Sequence, residues 1–321
     1  MMQDIRNLVS QDFAAVNNRI LEQLHSHVPL VEDVGHHITE AGGKRLRPLL
    51  TLLAANALSC QDKRYIDLAV IIEFIHTATL LHDDVVDLST LRRGLPTANA
   101  RWGNAPSILV GDFMYSRAFQ MLVALGSMDI MALLSDTTNQ IAEGEVFQLT
   151  KAGDPDTSRD DYLRIIRDKT AILFAAALKS AALIANAGPE QTDALYRYGL
   201  HLGIAFQLAD DVLDYQGDSQ AMGKNIGDDL SEGKPTLPLI YSIENSHHGE
   251  ADVIIEAIRN KDASRLDDVI LLIRRNGALE HTLDVARHEA AMAKQVLGCL
   301  PDNRFRQGLC DLADFALKRN H

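Results

Sequence analysis

Apolar residues recur at three- and four-residue spacing over most of the chain, in roughly 4–26, 44–59, 64–88, 105–125, 128–150, 159–186 and 190–216. That period predicts amphipathic helices. The helices are punctuated at Gly42-Gly43, Gly94-Leu95-Pro96, Gly153-Asp154-Pro155, Gly188-Pro189 and Gly217-Asp218, where glycine and proline favour turns. Beyond 235 the pattern shortens, with breaks near Gly249, Asn260, Gly277 and Pro301. No run alternates in the way a half-buried strand does, and no Asn-Gly hairpin turn is recognised. The stretches 68–82 and 171–185 are apolar on more than one face, which places such helices at the centre of a large assembly. The expectation is an all-α fold over residues 1–321, one large helical domain with central apolar helices ringed by others and no interdomain linker.

Composition narrows the chemistry. The chain carries a formal charge of -13, which argues against nucleic acid as the partner of its surface. An acidic protein that binds an anionic substrate needs local Lys and Arg or a divalent cation. Cys60, Cys299 and Cys310 show no pairwise spacing, as expected of reduced thiols. The N-terminus lacks the basic-then-apolar pattern of a secretory signal. The longest apolar run, Leu68 to Leu81, is broken by Glu73 and His76 and is expected to fall short of the ~18–20 residues that cross a bilayer. A soluble, cytoplasmic protein is expected, and no basic amphipathic helix suggests a permanent membrane anchor.

The chemistry concentrates in two short motifs. Asp83-Asp84-Val85-Val86-Asp87 and Asp210-Asp211-Val212-Leu213-Asp214 share one spacing, and each follows a strongly apolar stretch. On a helix the first and last carboxylates of each motif lie one turn apart on one face. Like charges so placed repel, and aspartate is a weak helix former, so the pattern calls for a cation. Hard oxygen ligands at this spacing suit Mg2+, which is commonly shared with substrate phosphates. One such motif reads most simply as a solvated acidic helix end; two with identical spacing point to metal and phosphate.

Basic residues supply the other half. Lys44, Arg45 and Arg47 follow a glycine pair at a helix start, Arg92-Arg93 precedes Gly94, and Lys169-Thr170 lies within a helical run. Gly223-Lys224-Asn225 and Gly233-Lys234-Pro235 flank an acidic loop with Asp228 and Asp229. Backbone N–H groups and the helix dipole at a helix start favour phosphate. Taken singly each cluster is an ordinary surface patch; with two metal-type carboxylate sets they indicate two diphosphates.

In this order, Gly42-Gly43-Lys44-Arg45-Leu46-Arg47-Pro48, Glu73 to Asp84, Arg92-Arg93-Gly94, Gly111-Asp112-Phe113, Lys169-Thr170, Phe206 to Asp211 and Gly223 to Asp229 resemble the motif set of the trans-isoprenyl diphosphate synthases along nearly the whole chain. The resemblance implies an isoprenoid-synthase helical bundle around a substrate tunnel, Mg2+ as cofactor and a homodimer. It implies that Asp83, Asp87 and Asp210 hold Mg2+ on an allylic diphosphate, with Asp84, Asp211 and Asp214 in support. Arg92, Lys169, Thr170, Gln207 and Lys224 would hold that diphosphate, and Thr170 and Gln207 would also stabilise the allylic cation. Lys44, Arg47, His76 and Arg93 would hold isopentenyl diphosphate. His82 is assigned a structural role.

Ala78 and Thr79, one turn before Asp83, are small where a bulky aromatic would make a tunnel floor. This predicts a long product, of the octaprenyl class by resemblance, with the stop deeper at candidates such as Phe113, Met114, Met121 and Met131. Transient membrane contact would suit release of such a lipid. A terpene cyclase would have no use for the second set of cations, and a non-catalytic regulatory subunit would not keep both aspartate motifs.

Overall fold

The computed structural model describes residues 1–40, 43–216, 227–247 and 249–318. Among them the architecture is helical, as the periodicity predicts. The N-terminal part runs through α1 (Met2–Asn7), α2 (Ser10–Gln23), α3 (Pro29–Glu40), α4 (Leu46–Ala57) and α5 (Arg64–Val86). A short antiparallel hairpin, β1 (Leu91–Arg92) with β2 (Leu95–Pro96), leads to α6 (Ala98–Trp102), α7 (Asn104–Leu125) and α8 (Met128–Lys151). Then come α9 (Arg159–Ile166), a π-helical turn at Arg167–Ala171, α10 (Ile172–Ile184) and α11 (Pro189–Gln216). Shorter helices follow, ending at Arg304–Leu317.

Four local expectations are corrected. The run over 4–26 is two helices separated at Leu8-Val9, and α3 lies where no helix was expected. The hairpin at 91–96 pairs only two residues per strand, too few to show alternation in the sequence. Helices α5 and α7 are also long and apolar enough, by length and composition, to cross a membrane. Glu73 and His76 do not lower the average of α5 enough to prevent this. In α5 most of that apolar surface is buried inside the fold, as in a core helix.

By contacts the chain divides into two compact units. The first comprises Met1–Thr138, Leu173–Gly199 and Lys294–Leu312; the second comprises Asn139–Ile172, Leu200–Ala293 and the stretch beginning at Ala313. In the first unit α5 is the central helix: Leu68 to Ile72, Phe74, Ile75, Ala78 and Leu81 are all buried, so little of its circumference meets water. Helix α4 packs on it with Leu49, Leu50, Leu52 and Leu53 fully buried. Its Pro48 falls in the first turn, where the missing N–H has no helical partner to lose. Helix α7 lies close along α5: Ser107 Oγ donates to the Leu81 carbonyl at 2.9 Å. A side-chain carbon at Gly111 would come within 2.4 Å of His82 Nε2, so glycine permits the approach. His82 Nε2 is thereby held 3.2 Å from the Ile108 carbonyl and 3.3 Å from Asp112.

The second unit is built on two apolar clusters. Tyr162, Ile166, Leu208, Leu237, Ile240 and Ala286 form one. Val212, Tyr215, Leu230, Leu239, Ile254, Ile258 and Ile273 belong to the other. Both clusters draw on α11, so the helix that carries the second aspartate motif is anchored on each side of it.

Candidate active site

In the first unit the aspartates occupy the C-terminal end of α5. The Asp87 N–H donates to the Asp83 carbonyl at 2.8 Å, so the two side chains sit one helical turn apart. Both are half-buried, whereas Asp84 is fully buried. Arg92 meets Asp84 in a bidentate pair, with Nη2 at 2.7 Å and Nε at 3.0 and 3.1 Å from the carboxylate oxygens. The Asn99 amide and the Ser89 N–H both donate to the Asp84 carbonyl. The middle residue of the motif therefore ties the end of α5 to the segment that carries the arginines.

The cations of the Gly43–Arg47 segment have different environments. Arg45, in the left-handed region at φ 43°, turns to Asn17 and to the Thr39 carbonyl and fastens the segment. Arg6 donates to the Lys44 carbonyl at 2.6 Å. Arg47 lies 4.3 Å over the ring of Phe174, and its buried Nε has no hydrogen-bond partner among the described residues. Burial pulls its guanidinium down to about 10, partly offset by Glu73, so it stays charged at neutral pH. An enclosed guanidinium with an unmet donor is a strong anion acceptor. His76 titrates well below the ordinary imidazole range, first because of burial and then because Arg47, Arg92 and Arg93 repel a further positive charge. It is neutral and offers a single N–H. Burial likewise raises Glu73, against the pull of Arg45, Arg47 and Arg93. Gly43 lies at φ 150°, a conformation side chains rarely adopt, and a side-chain carbon there would lie 2.5 Å from Arg93 Nη1 and displace the guanidinium tip. Lys44, Arg47, His76, Arg92, Arg93 and the first aspartate motif are thus gathered in one unit.

The second unit gathers Lys169, Thr170, Gln207 and the second motif. Lys169 and Thr170 sit in the π-helical turn, an irregularity frequent at functional sites. Ala171 of that turn rests on Gly203, where a side-chain carbon would come within 2.5 Å of the Ala171 Cα. The closeness lets Thr170 Oγ1 donate to Gln207 Oε1 at 3.2 Å. The Gln207 amide donates to Asp211 Oδ1 at 2.8 Å, and the buried Tyr162 hydroxyl donates to Asp211 Oδ2. Asp211 is buried, and burial, followed by repulsion from Asp229, pushes it well above the usual carboxylate range. Lys169 Nζ pairs with Glu145 at 2.7 Å and donates to Gln148 at 2.9 Å. Asp214 Oδ2 accepts from the Asp229 N–H at 3.3 Å, which fixes the start of the short Asp228–Ser231 helix.

Asp83, Asp87, Asp210 and Asp214 remain half-buried, and their hard oxygens fit a divalent cation. Among the described residues no group of three or more His, Cys, Asp or Glu side chains converges as a metal cage. Such a cage is not needed for Mg2+, which is usually bound through one or two carboxylates plus substrate phosphates. Lys224 lies outside the described residues. The sequence did not reveal Phe174 beneath Arg47, Glu145 and Gln148 around Lys169, or Tyr162 on Asp211. Each is a partner brought from a different helix or a distant turn, and nothing in its local sequence marks it.

The tunnel candidates lie in the first unit. Ala78 is fully buried, and Thr79 is half-buried with its hydroxyl on the His76 carbonyl at 2.8 Å. Met114 and Met121 are buried on α7, while Phe113 and Met131 are half-buried.

A family model described as polyprenyl synthetase matches residues 28–273. The chain is 47% identical over 320 residues to octaprenyl diphosphate synthase of Escherichia coli (strain K12), covering 99% of each. It is 48% identical over 318 residues to an all-trans-nonaprenyl-diphosphate synthase (geranyl-diphosphate specific) of Rhodobacter capsulatus, covering 99% of this chain and 98% of that protein. A crystal structure of polyprenyl synthase from Caulobacter crescentus CB15, complexed with calcium and isoprenyl diphosphate, superposes with a TM-score of 0.97 at 45% identity. That match covers 100% of this chain and 98% of the other.

Proposed function

The chain belongs to the polyprenyl synthetase family, and from that premise we propose that it is a long-chain trans-polyprenyl diphosphate synthase. It extends an allylic diphosphate such as farnesyl diphosphate with successive isopentenyl diphosphates, to an octaprenyl product that serves as a quinone side chain. The observation that carries this reading is the gathering in one unit of an aspartate motif with Lys44, Arg47, Arg93 and the neutral His76, the Arg47 guanidinium being enclosed over Phe174 with an unmet donor. A hydrolase or cyclase that ionises a single diphosphate has no use for the second group.

In this reading Asp83, Asp87 and Asp210 are the direct Mg2+ ligands. Asp84, Asp211 and Asp214 support them, and for Asp84 and Asp211 the support runs through Arg92, Gln207 and Tyr162. Bound Mg2+ supplies charge neutralisation to the departing diphosphate. Arg92, Lys169 and Lys224 hold the same group by charge-assisted hydrogen bonds. The Thr170 and Gln207 dipoles stabilise developing positive charge without attacking it. Arg47 and Arg93 clamp isopentenyl diphosphate, Lys44 adds a point charge, and neutral His76 donates one hydrogen bond. The apolar helices keep out water that would quench the cation.

The single-domain, homodimeric and cytoplasmic assignments belong to the same proposal. The dimer is supported by the apolar surface that α7 leaves to solvent, where Leu109 is 65% and Val123 67% exposed. Membrane contact is proposed only for product release, and nucleic acid is not a partner.

The deciding experiment is incubation with Mg2+, farnesyl or geranyl diphosphate and labelled isopentenyl diphosphate, followed by chain-length analysis of the product. Prenyl chains longer than geranylgeranyl are expected, and no incorporation of label sinks the synthase reading. Ala78→Phe tests the tunnel. An aromatic at this buried position is expected to cost about 1–3 kcal/mol of stability through overpacking and to shorten the product. An unchanged product length removes Ala78 from the tunnel wall while sparing the chemistry.

A further inference from the structure

The β1–β2 hairpin carries both arginines of the proposed diphosphate sites on very little structure. Two paired residues per strand do not make a stable unit in water. Its Leu91 and Leu95 are exposed, so it has little core of its own. At its tip Arg93 is held in the left-handed region at φ 54°. On the inner side the hairpin is fastened by Arg92 on Asp84, and at its base by Thr97, whose N–H reaches the Thr90 carbonyl and whose hydroxyl reaches the Ser89 carbonyl. On the outer side the fastening comes from α3: His37 Nε2 lies 2.8 Å from the Pro96 carbonyl.

The imidazole is oriented by its own neighbours. A carbonyl only accepts, so Nε2 carries the proton; a guanidinium only donates, so Nδ1 accepts from Arg101 Nη1 at 3.4 Å. One neutral tautomer satisfies both. The Trp102 ring meets the imidazole edge-on at 5.0 Å and restricts its rotation. Helix α3 also leads toward the Gly43–Arg47 segment, and Gly43 lies directly against the Arg93 guanidinium. His37 thus links the two stretches of chain that supply the isopentenyl diphosphate cations.

We infer that His37 is a positioning residue for the isopentenyl diphosphate subsite, holding the Leu91–Pro96 hairpin so that Arg93 keeps its register on Gly43. The inference rests on the proposed synthase activity. It is asymmetric: Arg92 is tied to buried Asp84 by a bidentate pair, whereas Arg93 stands at the tip of the hairpin in the left-handed region, where a shift of the hairpin moves it most. Small displacements of a positioning group can cost large factors in use of substrate.

The test compares Michaelis constants for the two substrates in the full-length protein. His37→Ala is expected to raise KM for isopentenyl diphosphate about tenfold, leaving KM for the allylic primer and kcat within about twofold. His37→Gln, whose amide N–H can again donate to the Pro96 carbonyl, is expected to restore most of the loss. Arg101→Met, which removes the donor to Nδ1 and leaves α3 unchanged, should shift the same constant in the same direction, and serves if His37→Ala does not fold. An unchanged isopentenyl constant, a parallel rise in both constants, or no restoration by Gln overturns the inference. A wild-type chain that does not elongate is a failure of the synthase reading instead. Calorimetric titration with inorganic diphosphate then decides: weaker binding by His37→Ala supports the positioning role, and equal binding overturns it.

Discussion

Asp83→Ala is expected to lower kcat by at least about 10²–10³-fold, the scale of losing one group that stabilises transition-state charge, while the protein melts at its ordinary temperature. Asp83 lies in the last turn of α5, Asp87 caps its C-terminal end one turn on, and both are half-buried. Removing one of two like charges at this spacing relieves a repulsion of about 0.2–0.5 kcal/mol, and at a half-buried position the net change in folding stability is expected to stay within about 1 kcal/mol. What is lost is a proposed Mg2+ ligand. Asp210→Ala, at the corresponding place in the second motif, should behave alike. Label incorporation measured across a Mg2+ titration, with circular dichroism melts alongside, checks both. Turnover within about tenfold of wild type at saturating Mg2+ would remove the metal assignment, since loss of such a charge contact costs more than that.

Asp84→Ala is expected to give the opposite signature, a loss of folding stability of about 3 kcal/mol. That figure is the low end for breaking a buried ion pair, because the partner charge is left without compensation. The low end applies because Arg92 retains some contact with solvent, 20% of its side chain against 0% for Asp84. The freed arginine also loosens the hairpin, so activity should fall as well, through a raised KM for the allylic substrate. Thermal and urea melts of Asp83→Ala and Asp84→Ala side by side are the measurement. Equal stability of the two variants would refute the division of labour between neighbours in one motif. The same division is drawn in the second motif, where Asp211 accepts from Gln207 and Tyr162 while Asp210 remains half-buried.

Much of this arrangement was legible before any coordinates. Helical periodicity located α4, α5, α7, α8 and α11 closely, because each is long and the apolar face of a long helix repeats many times, but it ran α9, the π-helical turn and α10 together over 159–186. It did not find α3, where Gly35 and two histidines, His36 and His37, interrupt a twelve-residue pattern. It also missed the hairpin, which is shorter than one period of alternation can reveal. The candidate aspartates were legible because helix geometry alone puts positions four apart on one face. The identity of the substrate-side cations was legible only in part. Lys44, Arg45 and Arg47 are equal in sequence, yet Arg45 is spent on Asn17 and Thr39 while Arg47 is enclosed over Phe174.

By itself, then, the sequence determined an all-helical chain, two aspartate triplets each on one helical face, and the basic stretches that accompany them. These follow from local rules, since a residue's neighbours within a turn or two dictate its period, its cap and its face. Only the tertiary structure decided which members of each set are buried. It turned Asp84 to Arg92 and Asp211 to Tyr162 and Gln207, and it placed Lys169 and Thr170 in a π-helical turn against Gly203. It also set His37 behind the Arg92-Arg93 hairpin. Each of those outcomes joins residues that local sequence leaves independent, through burial and hydrogen-bond satisfaction that exist only once the helices have packed.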